Sequence, residues 1–132
     1  CPNGCGQHHV ADVGFHGAAA KGPGGQVPAY ELFLGGSYDE GDTRIALRVK
    51  TKVPAKRAPE ALKRVIDFYQ EQRNDEEPFK DFAARVGSEV FESILVDFKE
   101  IPELNRDSID SYMDWDKTVI YKLERGEGEC AV

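Results

Sequence analysis

Cys1 and Cys5 stand four positions apart in the run Cys1-Pro2-Asn3-Gly4-Cys5-Gly6-Gln7-His8-His9. Thiolate is the natural ligand of iron–sulfur clusters and soft metals. The glycines beside Cys5 permit the positive-φ or close-approach conformations with which a loop wraps a compact group. The pattern implies half of a metal or cluster site, although two ordinary thiols or a strained local disulfide would read the same way. His8 and His9 follow Cys5 by three and four residues, so either could complete a zinc site with Cys1 and Cys5.

Three stretches taken together extend this reading. Cys1-Pro2-Asn3-Gly4-Cys5-Gly6-Gln7, Ala11-Asp12-Val13-Gly14-Phe15 and Tyr30-Glu31-Leu32-Phe33-Leu34-Gly35-Gly36 closely resemble the siroheme-dependent nitrite and sulfite reductases. The resemblance implies a 4Fe-4S cluster held by four cysteines, two in an upstream C-x5-C motif and two in a C-P-N-x-C motif, here Cys1 to Cys5. Cys5 would then be the thiolate that bridges to the siroheme iron, and Cys1 a ligand of the cluster alone. By the same resemblance Asn3, Gly35, Gly36 and Ser37 join Cys5 as cofactor-binding candidates, the last three because the matching strand end lies beside the macrocycle. His8 and His9 are expected near the cofactor as hydrogen-bond donors behind its ligands. Lys21 could meet a siroheme carboxylate, with a solvated loop lysine as the preferred reading.

The upstream cysteine pair of the family, and the basic segments that contact its substrate, are absent from this sequence. The chain is therefore expected to be the C-terminal part of a larger reductase taking nitrite to ammonia or sulfite to sulfide. The partners implied are the remainder of that enzyme, ferredoxin or another electron donor, and a small anion. Two thiolates do not satisfy a cubane of four irons, so the chain alone is expected to bind neither 4Fe-4S cluster nor siroheme, and no catalytic residue is assigned within it. The alternatives are a cofactor-free α+β scaffold or sensing domain, expected if the natural reading frame opens near Cys1, and a zinc-binding module.

Composition narrows the class. With 132 residues the chain is long enough for one hydrophobic core, and 40% hydrophobic against 31% charged residues suits a soluble globular domain. No apolar run approaches the roughly 20 residues that span a bilayer. A net charge of -7 argues against nucleic acid as a partner. Lys50, Lys52, Lys56, Arg57, Lys63 and Arg64 could form a local patch for an acidic donor, although a solvated strand end and helix face is the preferred reading. Three cysteines make no secreted disulfide framework, which points to a reducing cytosol.

The elements that must position these residues follow from periodicity. Residues 7–12 are expected to form one or two helical turns, and a strand over 13–20 leads out of the cysteine loop. Lys21 to Gly25 is read as a loop, and 29–34 as a second strand stopped by Gly35-Gly36-Ser37. After an acidic turn over 38–42, a third strand over 43–53 would bury Ile45, Leu47 and Val49. An amphipathic helix is expected over 58–73 with Ala58, Leu62, Val65, Ile66 and Tyr69 inward and Pro59 in its first turn. A second helix would run from Pro78 to Gly87, and a third, short one would bury Val90, Phe91, Ile94 and Leu95. Residues 1–101 are read as the C-terminal half of the cofactor domain. In the extension 102–132, a short helix would bury Ile109, Tyr112 and Trp115, a strand could form over 118–123, and the acidic, glycine-rich tail would be mobile, with Cys130 a stray thiol. The class is α+β: three or four strands in a mainly antiparallel sheet, with two or three helices on one face.

Overall fold

The structure, a computed structural model, describes residues 3–123. It is an α+β fold in which an antiparallel three-stranded sheet is backed by helices. β1 (Val13–Gly22) and β2 (Gly25–Leu34) form one long hairpin, in unbroken register from Val13↔Leu34 to Gly22↔Gly25. Lys21, Gly22 and Gly25 therefore continue the strands instead of forming a loop, and only Pro23 and Gly24 turn the chain. Proline followed by glycine suits the central pair of a tight turn, since Pro presets its φ and Gly tolerates the second position.

The expected third strand is divided. β3 (Ser37–Asp39) and β4 (Asp42–Arg44) pair as a separate small ribbon, and β5 (Leu47–Pro54) then joins the main sheet beside β2. The break falls at Ile45 and Ala46. The Ala46 N–H donates to the His9 carbonyl at 2.7 Å. This bond draws Ala46 inward and leaves Ile45 70% exposed, against the alternation that placed it in the core. Within β5 the alternation holds: Val49, Thr51 and Val53 are buried, while Arg48, Lys50 and Lys52 face out.

Three helices follow: α1 (Ala58–Gln72), α2 (Phe79–Val86) and α3 (Ser88–Ile94). Pro59 lies in the first turn of α1, where its missing N–H has no helical partner to lose. The buried stripe of α1 is Ala61, Val65, Phe68 and Tyr69, rotated from the expected one, and Ile66 is exposed. Ala58 and Leu62 instead line an apolar hollow with Phe15, Tyr30, Pro59 and Trp115. Gly87, at φ 84°, ends α2 with its N–H on the Ala83 carbonyl, a left-handed stop for which glycine has no steric penalty. Val90 faces solvent, while Phe91 and Leu95 are fully buried.

The core lies between the sheet and these helices, where Leu32, Leu34, Val49 and Val53 meet Val65, Phe82, Phe91, Leu95 and Phe98. Phe68, Tyr69, Phe79, Phe82 and Phe91 pack mostly edge-to-face, as in the Tyr69–Phe82 pair at 5.2 Å. Beyond Pro102 the chain docks on the tip of the β1–β2 hairpin. Tyr112 is fully buried, donates to the Pro102 carbonyl at 2.7 Å and accepts from the Gly24 N–H at 3.1 Å. Residues 109–112 form one 3-10 turn. Trp115 stays 46% exposed and Ile109 37%, because only Tyr112 of the three aims at the hairpin. Residues 118–123 contribute a single bridge, Met113↔Ile120, in place of a strand.

Candidate functional site

The cysteine loop is built of turns. Gly4 and Gln7 both have positive φ, at 65° and 55°, and two short backbone bonds, Gln7 N–H to Gly4 O at 2.7 Å and Val10 N–H to Gln7 O at 3.1 Å, fold residues 4–10 back on themselves. The helical turns expected over 7–12 do not form, since Gln7 has already left the helical region. Cys5 is exposed and carries no disulfide, and nothing lies within 4 Å of where a Cβ on Gly6 would stand. Cys1 and Cys130, with the tail from residue 124, lie outside the described residues.

Three backbone bonds staple this loop to the sheet. The Gly35 and Gly36 N–H groups donate to the carbonyls of Asp12 and Ala11 at 2.8 and 3.0 Å, and Ala46 holds His9 as described. A Cβ on Gly36 would stand 2.6 Å from the Val10 carbonyl carbon, and one on Gly35 2.4 Å from the Ala83 methyl. Gly14 admits the His8 backbone in the same way. The glycine pair is approached closely, as its sequence suggests, but by the protein itself: by the cysteine-loop backbone at Gly36 and by Ala83 of α2 at Gly35. Ser37 is buried, and its hydroxyl donates to Asp39 at 3.1 Å and accepts from Lys80 at 3.4 Å. Asn3 is exposed.

The histidines gather on the sheet face opposite the helices. His8, only 6% exposed, packs at ring-centroid distances of 3.8 Å from His9 and 4.9 Å from His16, both tilted, and edge-on at 4.8 Å from Phe33. Burial, and then the neighbouring His9 and His16, hold its pKa below the ordinary 6.5. With Glu31 and Arg48 these residues line a hollow of about 350 Å³. Glu31 is 8% exposed and accepts from Arg48 at 2.8 Å. The grouping follows from register, because His16 faces Glu31 and Phe33 faces Arg48 across neighbouring strands. Reading those strands side by side would have placed His16 opposite Glu31, whereas His8 reaches the group from the loop. Among the described residues no three His, Cys, Asp or Glu side chains converge to hold a metal ion, and the zinc reading also needs Cys1.

A second polar group, unmarked by any motif, secures the strand end. Arg44 bridges Asp42 and Asp81 at 2.6 and 2.7 Å, and Lys80 bridges Asp39 and Asp42 at 2.6 and 2.7 Å. The Arg44 guanidinium, then the Lys80 ammonium, hold the Asp42 carboxyl down at about 2. These pairs join the β3–β4 ribbon to α2, directly after Gly36. Most of the supposed basic patch is likewise neutralised within the chain: Lys56 pairs with Asp110, Lys63 with Asp67, and Arg57 and Arg64 with Glu60 and Asp97. That supports the solvated-surface reading of those charges.

The site thus belongs to a definable class: an α+β domain presenting a glycine-framed cysteine on a loop pinned to its sheet. Comparison makes the class specific, because the family model of the nitrite and sulphite reductase 4Fe-4S domain matches residues 1–102, and the chain belongs to that family. It is 33% identical over 96 residues to the sulfite reductase [NADPH] hemoprotein beta-component of Vibrio vulnificus, which covers 73% of this chain and 15% of that protein. The equivalent protein of Staphylococcus carnosus is 36% identical over 87 residues, covering 66% and 14%. Among solved structures, the Mycobacterium tuberculosis NirA protein superposes with a TM-score of 0.63 at 27% identity, covering 69% of this chain and 17% of that one. The chain therefore spans about one seventh of the length of the curated relatives it matches.

Proposed function

We propose that this chain supplies two of the four cluster thiolates, Cys1 and Cys5, of a nitrite or sulfite reductase, as the C-terminal part of the cofactor-binding region. The observation that carries the reading is Cys5: an exposed, unbridged thiol beside open space at Gly6, on a loop fixed to the sheet by three backbone bonds. A ligand held this way loses little freedom when it binds, the condition for a well-placed metal site. Thiolate is the donor a cluster takes, so the residues present fit the group.

When bound, a 4Fe-4S cluster and siroheme would supply single-electron transfer to a small bound anion, six electrons taking nitrite to ammonia or sulfite to sulfide. In this proposal Cys1 and Cys5 would both hold the cluster, and Cys5 would in addition serve the siroheme. Asn3, Gly35, Gly36 and Ser37 serve cofactor binding, the glycines by letting residues 10–12 lie against the strand end. His8, buried against Phe33, covers the sheet face beneath the loop, with His9 exposed beside it. Electron donor, anion and the remaining cysteines come from outside the chain, and the setting is the cytosol. No helix among the described residues is long and apolar enough to cross a membrane.

The test is Cys5→Ala in the full-length protein. The expected result is loss of the visible absorption bands of both cofactors and of reductase activity, with the far-ultraviolet circular dichroism unchanged. Retention of both sets of bands at full stoichiometry would overturn the assignment of Cys5, and absence of both from the unsubstituted full-length protein would favour the cofactor-free reading.

A further inference from the structure

β1 and β5 are the two edges of the main sheet, and they are finished differently. β5 carries exposed Arg48, Lys50 and Lys52 at alternate positions. It packs against α3 and the 3-10 turn at Val96–Lys99, and its Lys50 N–H is taken by the Glu92 carboxylate at 3.1 Å. Alternating charge and helical cover are the devices that stop an edge from pairing with another strand.

β1 shows none of these devices. Its ten residues, Val-Gly-Phe-His-Gly-Ala-Ala-Ala-Lys-Gly, contain no proline, and its register with β2 has no bulge. Its one lysine, Lys21, sits near its end. In an antiparallel strand every second residue turns its N–H and C=O away from the neighbour. Among the described residues, one hydrogen bond reaches a β1 main-chain group from outside the β1–β2 ladder, that of Lys52 Nζ to the Ala19 carbonyl at 2.9 Å. A ten-residue edge that is half-buried by its side chains, yet takes only this one outside hydrogen bond among the described residues, is a template for another strand.

We propose that in the whole protein the β1 edge is paired by an extended strand from the rest of the reductase, which continues the sheet through main-chain hydrogen bonds. The inference rests on the functional reading above for its occupant. The relatives are roughly four to five times as long as this chain, which makes their remaining sequence the ready source of a strand. Six Gly and Ala residues in β1 leave room above and below the new strand for its own side chains. A second copy of this chain fits less well, since each copy carries a net charge of -7 and would repel the other.

Hydrogen–deuterium exchange of the full-length protein tests this on the peptide spanning Val13–Gly22. With the edge paired, nearly all of its amides exchange on the order of a hundredfold more slowly than free amides, and the protection does not change on dilution. Protection of only alternate amides would overturn the proposal, as would protection lost on dilution, which would assign the edge to a second copy. Gly17→Pro and Ala18→Pro give an independent readout, because neighbouring residues point their N–H groups to opposite sides of the strand. Pairing on both edges makes both variants lower the melting temperature by similar amounts, whereas an open edge spares one of them. The outcome is separate from that of Cys5→Ala: a protected β1 in a protein without cofactor bands would retain the strand pairing and reject the redox reading.

Discussion

At the residue scale, the glycines decide where Cys5 sits. Gly36 touches the Val10–Ala11 backbone, which cannot yield as a flexible side chain would. Gly36→Ala is therefore expected to cost about 1–3 kcal/mol, as overpacking does, read as a lower denaturant midpoint with unchanged slope. Gly6→Ala, with nothing within 4 Å of its Cβ position, should shift the midpoint by less than about 0.5 kcal/mol, as surface changes usually do. Equal effects at the two positions would show that the strand end does not fix the loop. The need for a close approach at Gly35-Gly36 was legible in the sequence, because consecutive glycines at a strand end have few other uses. Which chain approaches was not legible, since the partner lies some 25 positions earlier and is recognised by its backbone alone.

At the element scale, periodicity found what local physics determines and missed what distant contacts determine. The cores of β1 and β2, with α1 and α2, were readable from alternation, apolar spacing, Pro59 and Gly87, whereas the extension of both strands through Lys21, Gly22 and Gly25 to a tight hairpin was not. The rotation of the α1 stripe was not, because Ala58 and Leu62 turn toward Trp115, more than 50 residues onward. Ile45 was misplaced for a similar reason, its neighbour Ala46 being held by His9. The segment after Pro102 shows how one side chain can fasten an element that has little regular structure. The Tyr112 hydroxyl satisfies both the Gly24 N–H and the Pro102 carbonyl. Tyr112→Phe keeps the ring in place and removes both bonds, so a loss of about 1–3 kcal/mol is expected. Limited proteolysis should then cut between residues 102 and 112 sooner than in the parent chain, and an unchanged cleavage rate would mean that ring packing alone docks the segment.

At the scale of the whole molecule, the buried histidine and the paired carboxylates set how the fold responds to acid. His8 has its pKa held below 6.5 in the folded chain, first by burial and then by His9 and His16. His9, His16, Glu31 and Arg48 are the titratable groups around it. The unfolded chain thus takes up this proton more readily, and stability rises with pH wherever the unfolded state binds more protons. The contribution of His8 is complete above 6.5 and is lost as pH falls below that value. The carboxylates act lower down. Asp42 and Glu77 are held at about 2, chiefly by hydrogen bonds from Arg44 and Arg85, so their contribution is present above their ordinary values near 4 and disappears as pH falls toward 2. Melting temperature against pH should therefore decline in two stages, one beginning near 6.5 and one beginning near 4. His8→Gln keeps a polar side chain at the site but cannot take up a proton, so it is expected to abolish the first stage and leave the second intact. A first stage that survives in His8→Gln would show that protonation of His8 does not cause it.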